Sequence, residues 1–333
     1  MGFSRLKQSL TAQEILDLVH SDLQKVEREI SLESVASVDA ITTIGEYVRS
    51  SGGKRVRPTL LLLCCRMLGE PGETAIRLAA VIEMIHSATL VHDDVIDTAE
   101  TRRGRPSTNA IWGNQTSVLA GDWLYMQAFQ VALRERNFHV LDLLIGLTQT
   151  MVEGELLQLE RVRKIDISEA DYIELVDRKT ASLFAVSARL GAYAAGAGEK
   201  VESCLGDYGW NLGIAFQLVD DILDFTSREA ILGKPVGRDL QEGKVTLPLI
   251  YALQDATPAE RALVETVVRD AGYTHVSFGT ILSLIEKYNG IGRARERARF
   301  FTEKARAIIG EFPESPYQRA LTAITDLMTD RDR

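Results

Sequence analysis

The stretch "VHDDVIDTAETRRGRP", residues 91–106, sets Asp93, Asp94 and Asp97 just ahead of Arg102 and Arg103. A second stretch, "QLVDDILD" at 217–224, repeats the three aspartates in register as Asp220, Asp221 and Asp224, again among apolar neighbours. On a helix turning about 100° per residue, the first and third aspartates of each set stand one above the other, and the second lies about 60° round. Like charges so placed repel by about 0.2–0.5 kcal/mol on an isolated helix, and burial raises that cost. A bound cation reverses it. All-carboxylate sets are hard oxygen ligands, so Mg2+ is the natural ion, and it commonly shares phosphate oxygens with a substrate. Arg102 and Arg103 add guanidinium groups that pair with phosphate oxygens, so metal on one side and arginine on the other would grip a diphosphate.

A second anion site is expected at "GGKRVRP", residues 52–58, where a glycine turn presents Lys54, Arg55 and Arg57 ahead of an apolar helix. His86 lies seven residues before Asp93, two turns away on nearly the same face, and makes a third ligand for that anion. Farther along, "DRKTASLF" carries Lys179 and Thr180, and Gln217 stands one turn before Asp221. Lys234 and Lys244 flank Asp239 in a glycine-punctuated loop. Together these supply the positive charge that a departing diphosphate requires.

The elements that must carry these residues read as helices. The eight prolines include none between Pro106 and Pro235, which permits unbroken helices through the middle of the chain. Leu205, Tyr208, Leu212, Phe216, Val219 and Leu223 recur every three or four positions, a buried helical stripe leading into the second aspartate set. The segment ahead of the first set is apolar almost all round, as expected of a helix inside a bundle. Val91, Val95 and Ile96 are expected to enclose the first triplet in apolar surroundings. Breaks fall at "SSGGKRVRP", "EPGE", "ETRRGRPST" and "LGKPVGRDLQEGKVTLP", and Thr257 with Pro258 reads as a helix start. The expected fold is all-α, one domain over 1–333 of roughly a dozen helices, with residues 1–30 peripheral.

With 333 residues, 45% of them hydrophobic, the chain can bury a large core. A net charge of −9 and a pI near 5.3 argue against a nucleic-acid partner. Cys64, Cys65 and Cys204 have no metal-ligand spacing and read as inert thiols of a reducing cytoplasm. The longest uninterrupted apolar run, "TLLLLCC", is too short to span a bilayer and no signal-peptide core is present, so a soluble protein is expected.

The motifs "GGKRVRP", "LVHDDVIDTAETRRGRP", "GEL" with Gln158, "RKTASLF", "GIAFQLVDDILDF" and "LGKPVGRDLQEGKVTLP" follow one another in unbroken order from about residue 45 to 255. In this the sequence resembles the trans-type polyprenyl diphosphate synthases. The resemblance implies an all-α homodimer whose two aspartate-rich helices face each other across a central cavity. It implies that Asp93, Asp97, Asp220, Asp221 and Asp224 bind Mg2+. Arg102, Lys179 and Gln217 would hold an allylic prenyl diphosphate, and Lys54, Arg57, His86 and Arg103 isopentenyl diphosphate. Thr180 would form a cation-stabilising kink. Asp94 joins the catalytic set, and Lys234 and Lys244 the substrate-binding one. In the family, bulky aromatics at the positions of Ala88 and Thr89 stop chain growth; these two are small, which favours a heptaprenyl to decaprenyl product for a quinone tail, one that partitions into membrane. Met126 and Phe129 are candidates for the tunnel floor. The competing readings are a short-chain farnesyl or geranylgeranyl synthase, a terpene cyclase, which needs only one diphosphate site, and a non-catalytic partner subunit, which would not need intact triplets.

Overall fold

The computed structural model describes residues 10–226 and 236–329, so Lys234 lies outside the described residues. Helix dominates. In chain order the first ten are α1 Ala12–Leu18, α2 His20–Glu33, α3 Asp39–Ser50, α4 Val56–Leu68, α5 Glu73–Ile96, α6 Thr108–Ala132, α7 Phe138–Arg161, α8 Glu169–Val176, α9 Ser182–Ala194 and α10 Glu199–Thr226. A short helix Arg238–Gln241 and the helices Leu247–Asp255, Pro258–Asp270, Phe278–Lys287, Gly290–Gly310 and Pro316–Thr329 follow. The described residues group into two compact units. The first takes in Met1–Gly146, Val186–Asp207 and Ile308–Leu327, and the second Leu147–Ala185, Tyr208–Ala307 and Met328–Arg333, in each case over the described parts.

In the first unit α5 packs against α2, α4 and α6. Its run Leu78–Ile82 is fully buried, as are Ile85 and Ala88, which is why the sequence there is apolar all round. By length and composition α5 alone among the described helices could cross a membrane, yet 61% of its apolar window is buried inside the protein. The core answers that apolarity. The run Leu60–Cys65 on α4 is buried as well, and from the N-terminal pair α2 buries Val26 and Ile30.

After α5 the chain makes the pair of strands Thr101–Arg102 and Arg105–Pro106, in register Thr101 with Pro106 and Arg102 with Arg105. The sequence showed only a break here. Arg103 at φ 53° and Gly104 at φ 75° form the two-residue turn, a conformation whose twist suits a tight hairpin. Tyr47 of α3 donates a hydrogen bond to Pro106 O at 2.7 Å, and the Arg105 guanidinium lies 4.3 Å over its ring, so the hairpin is docked on α3.

The second unit has its own core, built around Val176, Ile214, Leu218, Ile222, Val267 and Ile285. The stripe predicted on α10 is present: Leu205, Tyr208, Leu212 and Val219 are buried, while Phe216 and Leu223 are half-buried. Thr257 caps helix Pro258–Asp270 in a capping box with Glu260, with Pro258 at its first position, as the sequence indicated.

Candidate active site

The first triplet straddles a helix end. Asp93 and Asp94 lie in the last turn of α5, Asp97 is the C-cap, and the Asp97 backbone N–H donates to Asp93 O at 2.8 Å, preserving the one-turn relation. Asp94 is the buried member, 3% exposed, and Arg102 reaches its Oδ1 through Nε at 2.7 Å and Nη2 at 2.6 Å. The hairpin turns Arg102 back onto the helix, so its carboxylate partner is Asp94 rather than the exposed Glu100 that sequence proximity offers. Asp93 and Asp97 are half-buried. The apolar casing expected around the triplet is one-sided: Val91 is buried, Val95 is half-buried, and Ile96 is 42% exposed because it follows the helix out of the core. From α6, Tyr125 comes close enough for the Asp93 charge to add to burial in pushing its phenol pKa up.

The second triplet shares the buried middle aspartate but lies within α10 and has different partners. Asp220 is half-buried, while Asp221 and Asp224 are buried. Tyr172 OH donates to Asp221 Oδ2 at 2.6 Å, and Gln217 Nε2 donates to Oδ1 at 2.7 Å. Gln217 in turn accepts from Thr180 Oγ1 at 3.1 Å. Burial and the charge of Asp239 hold the Asp221 carboxyl well above the usual carboxylate range, against the opposing pull of the Tyr172 and Gln217 hydrogen bonds. Asp224 Oδ2 accepts the Asp239 backbone N–H at 3.3 Å, and Gly237 N–H donates to Asp224 O at 2.9 Å. In both triplets, then, the second aspartate is buried and hydrogen-bonded, and the first is half-buried.

Thr180 sits in a π-helical segment, Asp177–Ala181, between α8 and α9. A wide turn of this kind breaks the regular ladder and is common at functional sites. Two glycines make room for it: a Cβ on Gly154 would meet Arg178 Cβ at 2.9 Å, and one on Gly213 would meet Ala181 Cα at 2.6 Å. The neighbouring Lys179 Nζ donates to Glu155 Oε2 at 2.5 Å and Gln158 Oε1 at 3.1 Å. Lys244 Nζ donates to Glu242 Oε2 at 2.8 Å.

The glycine turn gathers cations in the first unit. Arg55, the N-cap of α4 at φ 46°, is bound by Glu27 and, at 2.7 Å, by Glu83 Oε1. Its guanidinium therefore faces inward, and Lys54 is the exposed one. A Cβ on Gly53 would meet Arg103 Nη1 at 2.9 Å and Arg55 Nη1 at 3.1 Å, so glycine lets both guanidiniums approach. Arg57 Nη1 donates to His86 Nε2 at 3.1 Å. Arginine cannot accept, which leaves the imidazole proton on Nδ1. Burial and the charges of Arg57 and Arg103 hold His86 well below its ordinary pKa, so it is neutral at pH 7, and burial pushes Arg57 down to about 10.

Of the chain-length candidates, Ala88 is fully buried and Thr89 Oγ1 donates to His86 O at 2.7 Å. Of the two floor candidates, Phe129 is half-buried and Met126 is 64% exposed. Glu83, Tyr125, Glu155 and Tyr172 escaped the sequence reading. Their partners Arg55, Asp93, Lys179 and Asp221 lie 24 to 49 residues away, and no spacing signals them; the one hint was that a buried tyrosine or glutamate must find a partner.

Among the described residues no three metal-capable side chains close on a single point. What each triplet offers is half-buried carboxylate beside buried, hydrogen-bonded carboxylate, a donor set suited to a hard cation that completes its shell with substrate oxygens.

A family model described as polyprenyl synthetase matches residues 38–278. An octaprenyl diphosphate synthase of Haemophilus influenzae is 39% identical over 323 residues, 97% of this chain and 98% of that protein. An all-trans-nonaprenyl-diphosphate synthase (geranyl-diphosphate specific) of Rhodobacter capsulatus is 38% identical over 96% of this chain and 98% of its own length. Among solved structures, a polyprenyl synthase from Caulobacter crescentus complexed with calcium and isoprenyl diphosphate superposes with a TM-score of 0.92 at 34% identity, covering 98% of this chain and 100% of that one.

Proposed function

We propose, since this chain belongs to the polyprenyl synthetase family and is a prenyltransferase acting on prenyl diphosphates, that it condenses an allylic diphosphate with successive isopentenyl diphosphates to an all-trans product of medium to long chain. The observation that carries this reading is the twin triplet, with a half-buried first aspartate and a buried, hydrogen-bonded second one in both copies. The similarity to octaprenyl and nonaprenyl synthases and the small, buried Ala88 favour the longer products.

In this reading the half-buried Asp93, Asp97 and Asp220, together with Asp221 and Asp224, would hold Mg2+. When bound, the ion supplies positive charge to the diphosphate as it leaves. Arg102, Lys179 and Gln217 hold the allylic diphosphate. Lys54, Arg57, Arg103 and the Nδ1–H of neutral His86 bind isopentenyl diphosphate and fix its double bond for attack. The allylic carbon–oxygen bond breaks, a carbon–carbon bond forms to the isopentenyl unit, and the proton that unit loses passes to the released diphosphate. The hydroxyl and amide dipoles of Thr180 and Gln217 face the developing cation. Apolar helix faces exclude water that would quench it.

The working form is a homodimer in the cytoplasm, within which the whole chain acts as one catalytic domain. Leu119, Met126 and Leu133, then Phe138, Ile145, Val152 and Leu159, are all exposed and recur every seven residues, the spacing of a helix seam that seeks a partner. Cys64, Cys65 and Cys204 are free thiols, as a reducing compartment allows.

The test is mass analysis of products from farnesyl diphosphate, isopentenyl diphosphate and Mg2+ with the purified protein. Products in the heptaprenyl to decaprenyl range are expected. Arrest at farnesyl or geranylgeranyl diphosphate would overturn the assigned length, and consumption of farnesyl diphosphate without isopentenyl diphosphate would make the protein a cyclase.

A further inference from the structure

We propose that Glu83 is a positioning residue for the isopentenyl diphosphate subsite, holding the cations of the glycine turn in their binding arrangement without itself touching substrate. This rests on the reading of Lys54, Arg57, His86 and Arg103 as that subsite.

Glu83 lies on α5 one turn before His86 and is 5% exposed. Its Oε1 accepts from Arg55 Nη1 at 2.7 Å, and Glu27 takes Arg55 Nε on the outer side. Arg55 is thus clamped between two carboxylates at a residue whose left-handed backbone, φ 46°, persists only where its surroundings fix it. Lys54 precedes that residue and Arg57 follows it by two, so the clamp sets the direction of both. Glu83 also acts through charge. It is the anion that opposes the loss of charge on buried Arg57 and on Arg103. Arg55, Glu83, Asp94, Arg102 and Arg103 line one cavity of about 30 Å3, which brings the Glu83 carboxylate beside these guanidiniums.

Guanidiniums crowded in this way repel one another before an anion arrives. The buried Glu83 carboxylate, bonded to Arg55 and opposing loss of charge on Arg57 and Arg103, holds these groups near their final geometry, so the diphosphate meets donors already aimed at it. With both its hydrogen-bonding and its charge directed at Arg55, Arg57 and Arg103, Glu83 has no role in the bond-breaking step, and its loss should appear in binding of one substrate only.

The experiment is steady-state kinetics of Glu83→Gln in the full-length protein, with each substrate varied in turn. The amide keeps the shape and removes the charge. The KM for isopentenyl diphosphate should rise about tenfold, with kcat within about twofold and the allylic KM unchanged. Glu27→Gln, on the side chain that is 34% exposed, should raise the same KM by a smaller factor and decides the matter if Glu83→Gln does not fold. An unchanged isopentenyl KM in the folded variants, whatever happens to Tm, overturns the proposal, as does an equal rise in both KM values. Arg57→Ala separates the two levels: if it leaves the isopentenyl KM unchanged, the subsite reading itself fails, whereas a rise there with none in Glu83→Gln and Glu27→Gln removes only the role of Glu83.

Discussion

Asp94 and Asp221 occupy the same place in the two triplets and are secured by unlike means, one by a guanidinium and the other by a phenol and an amide. The aspartates and Arg102 drew notice in the sequence because charge crowded on apolar helices needs a reason, whereas Gln217 and His86 did so only as parts of the motif set. Tyr172 was not legible there, since its contact with Asp221 spans 49 residues. Removing its hydroxyl should loosen Asp221, and partners behind a metal ligand typically change affinity by about 10–100-fold. Tyr172→Phe should therefore raise the Mg2+ concentration for half-maximal activity about tenfold, and also cost about 1–3 kcal/mol of stability for the buried oxygen left without its donor. Magnesium titration of activity beside thermal melts checks both, and an unshifted Mg2+ midpoint would remove Tyr172 from the metal site.

Elements position these residues through features of unequal visibility. The stripe on α10 and the cap at Thr257 could be read directly because helical periodicity and capping chemistry are local. The hairpin and the π-helical segment could not, since each is settled by what packs against it: α3 for the hairpin, and the absent side chains of Gly154 and Gly213 for the wide turn. Gly154→Ala should push Arg178 and Lys179 away from α7, lowering kcat about tenfold and stability by about 1–3 kcal/mol. Wild-type kcat in that variant would show that the turn tolerates displacement. Glu260 offers a pH-dependent case. Its hydrogen bond from Lys287, followed by those from Thr257, holds its carboxyl down to about 2 from an ordinary 4.5. A depressed folded pKa stabilises above the unfolded value, and that contribution fades as pH falls from about 4.5 towards about 2. The Tm difference between the wild type and Glu260→Gln should be present at pH 7 and vanish over that window; a difference independent of pH would assign it to packing.

At the scale of the whole molecule, the all-α class followed from composition and period alone, and the apolar character of α5 and of "TLLLLCC" is explained by the core they form. The exposed seam on α6 and α7 was invisible because the same seven-residue spacing serves buried and exposed faces alike. If the proposed homodimer forms through this seam, replacing Met126 and Phe138, 64% and 83% exposed, with glutamate should shift it to monomer in sedimentation experiments while helix content stays the same. A dimer that survives both changes would place the interface elsewhere.

The central claim is the proposal that turnover requires both aspartate triplets, and turnover of Asp93→Ala and Asp220→Ala tests it most directly. These are the half-buried first aspartates, so each variant should keep its fold and melting temperature. Each should also lose turnover by about 1,000-fold or more, because neither triplet supports departure of the diphosphate alone. Near wild-type turnover in either folded variant would contradict the account.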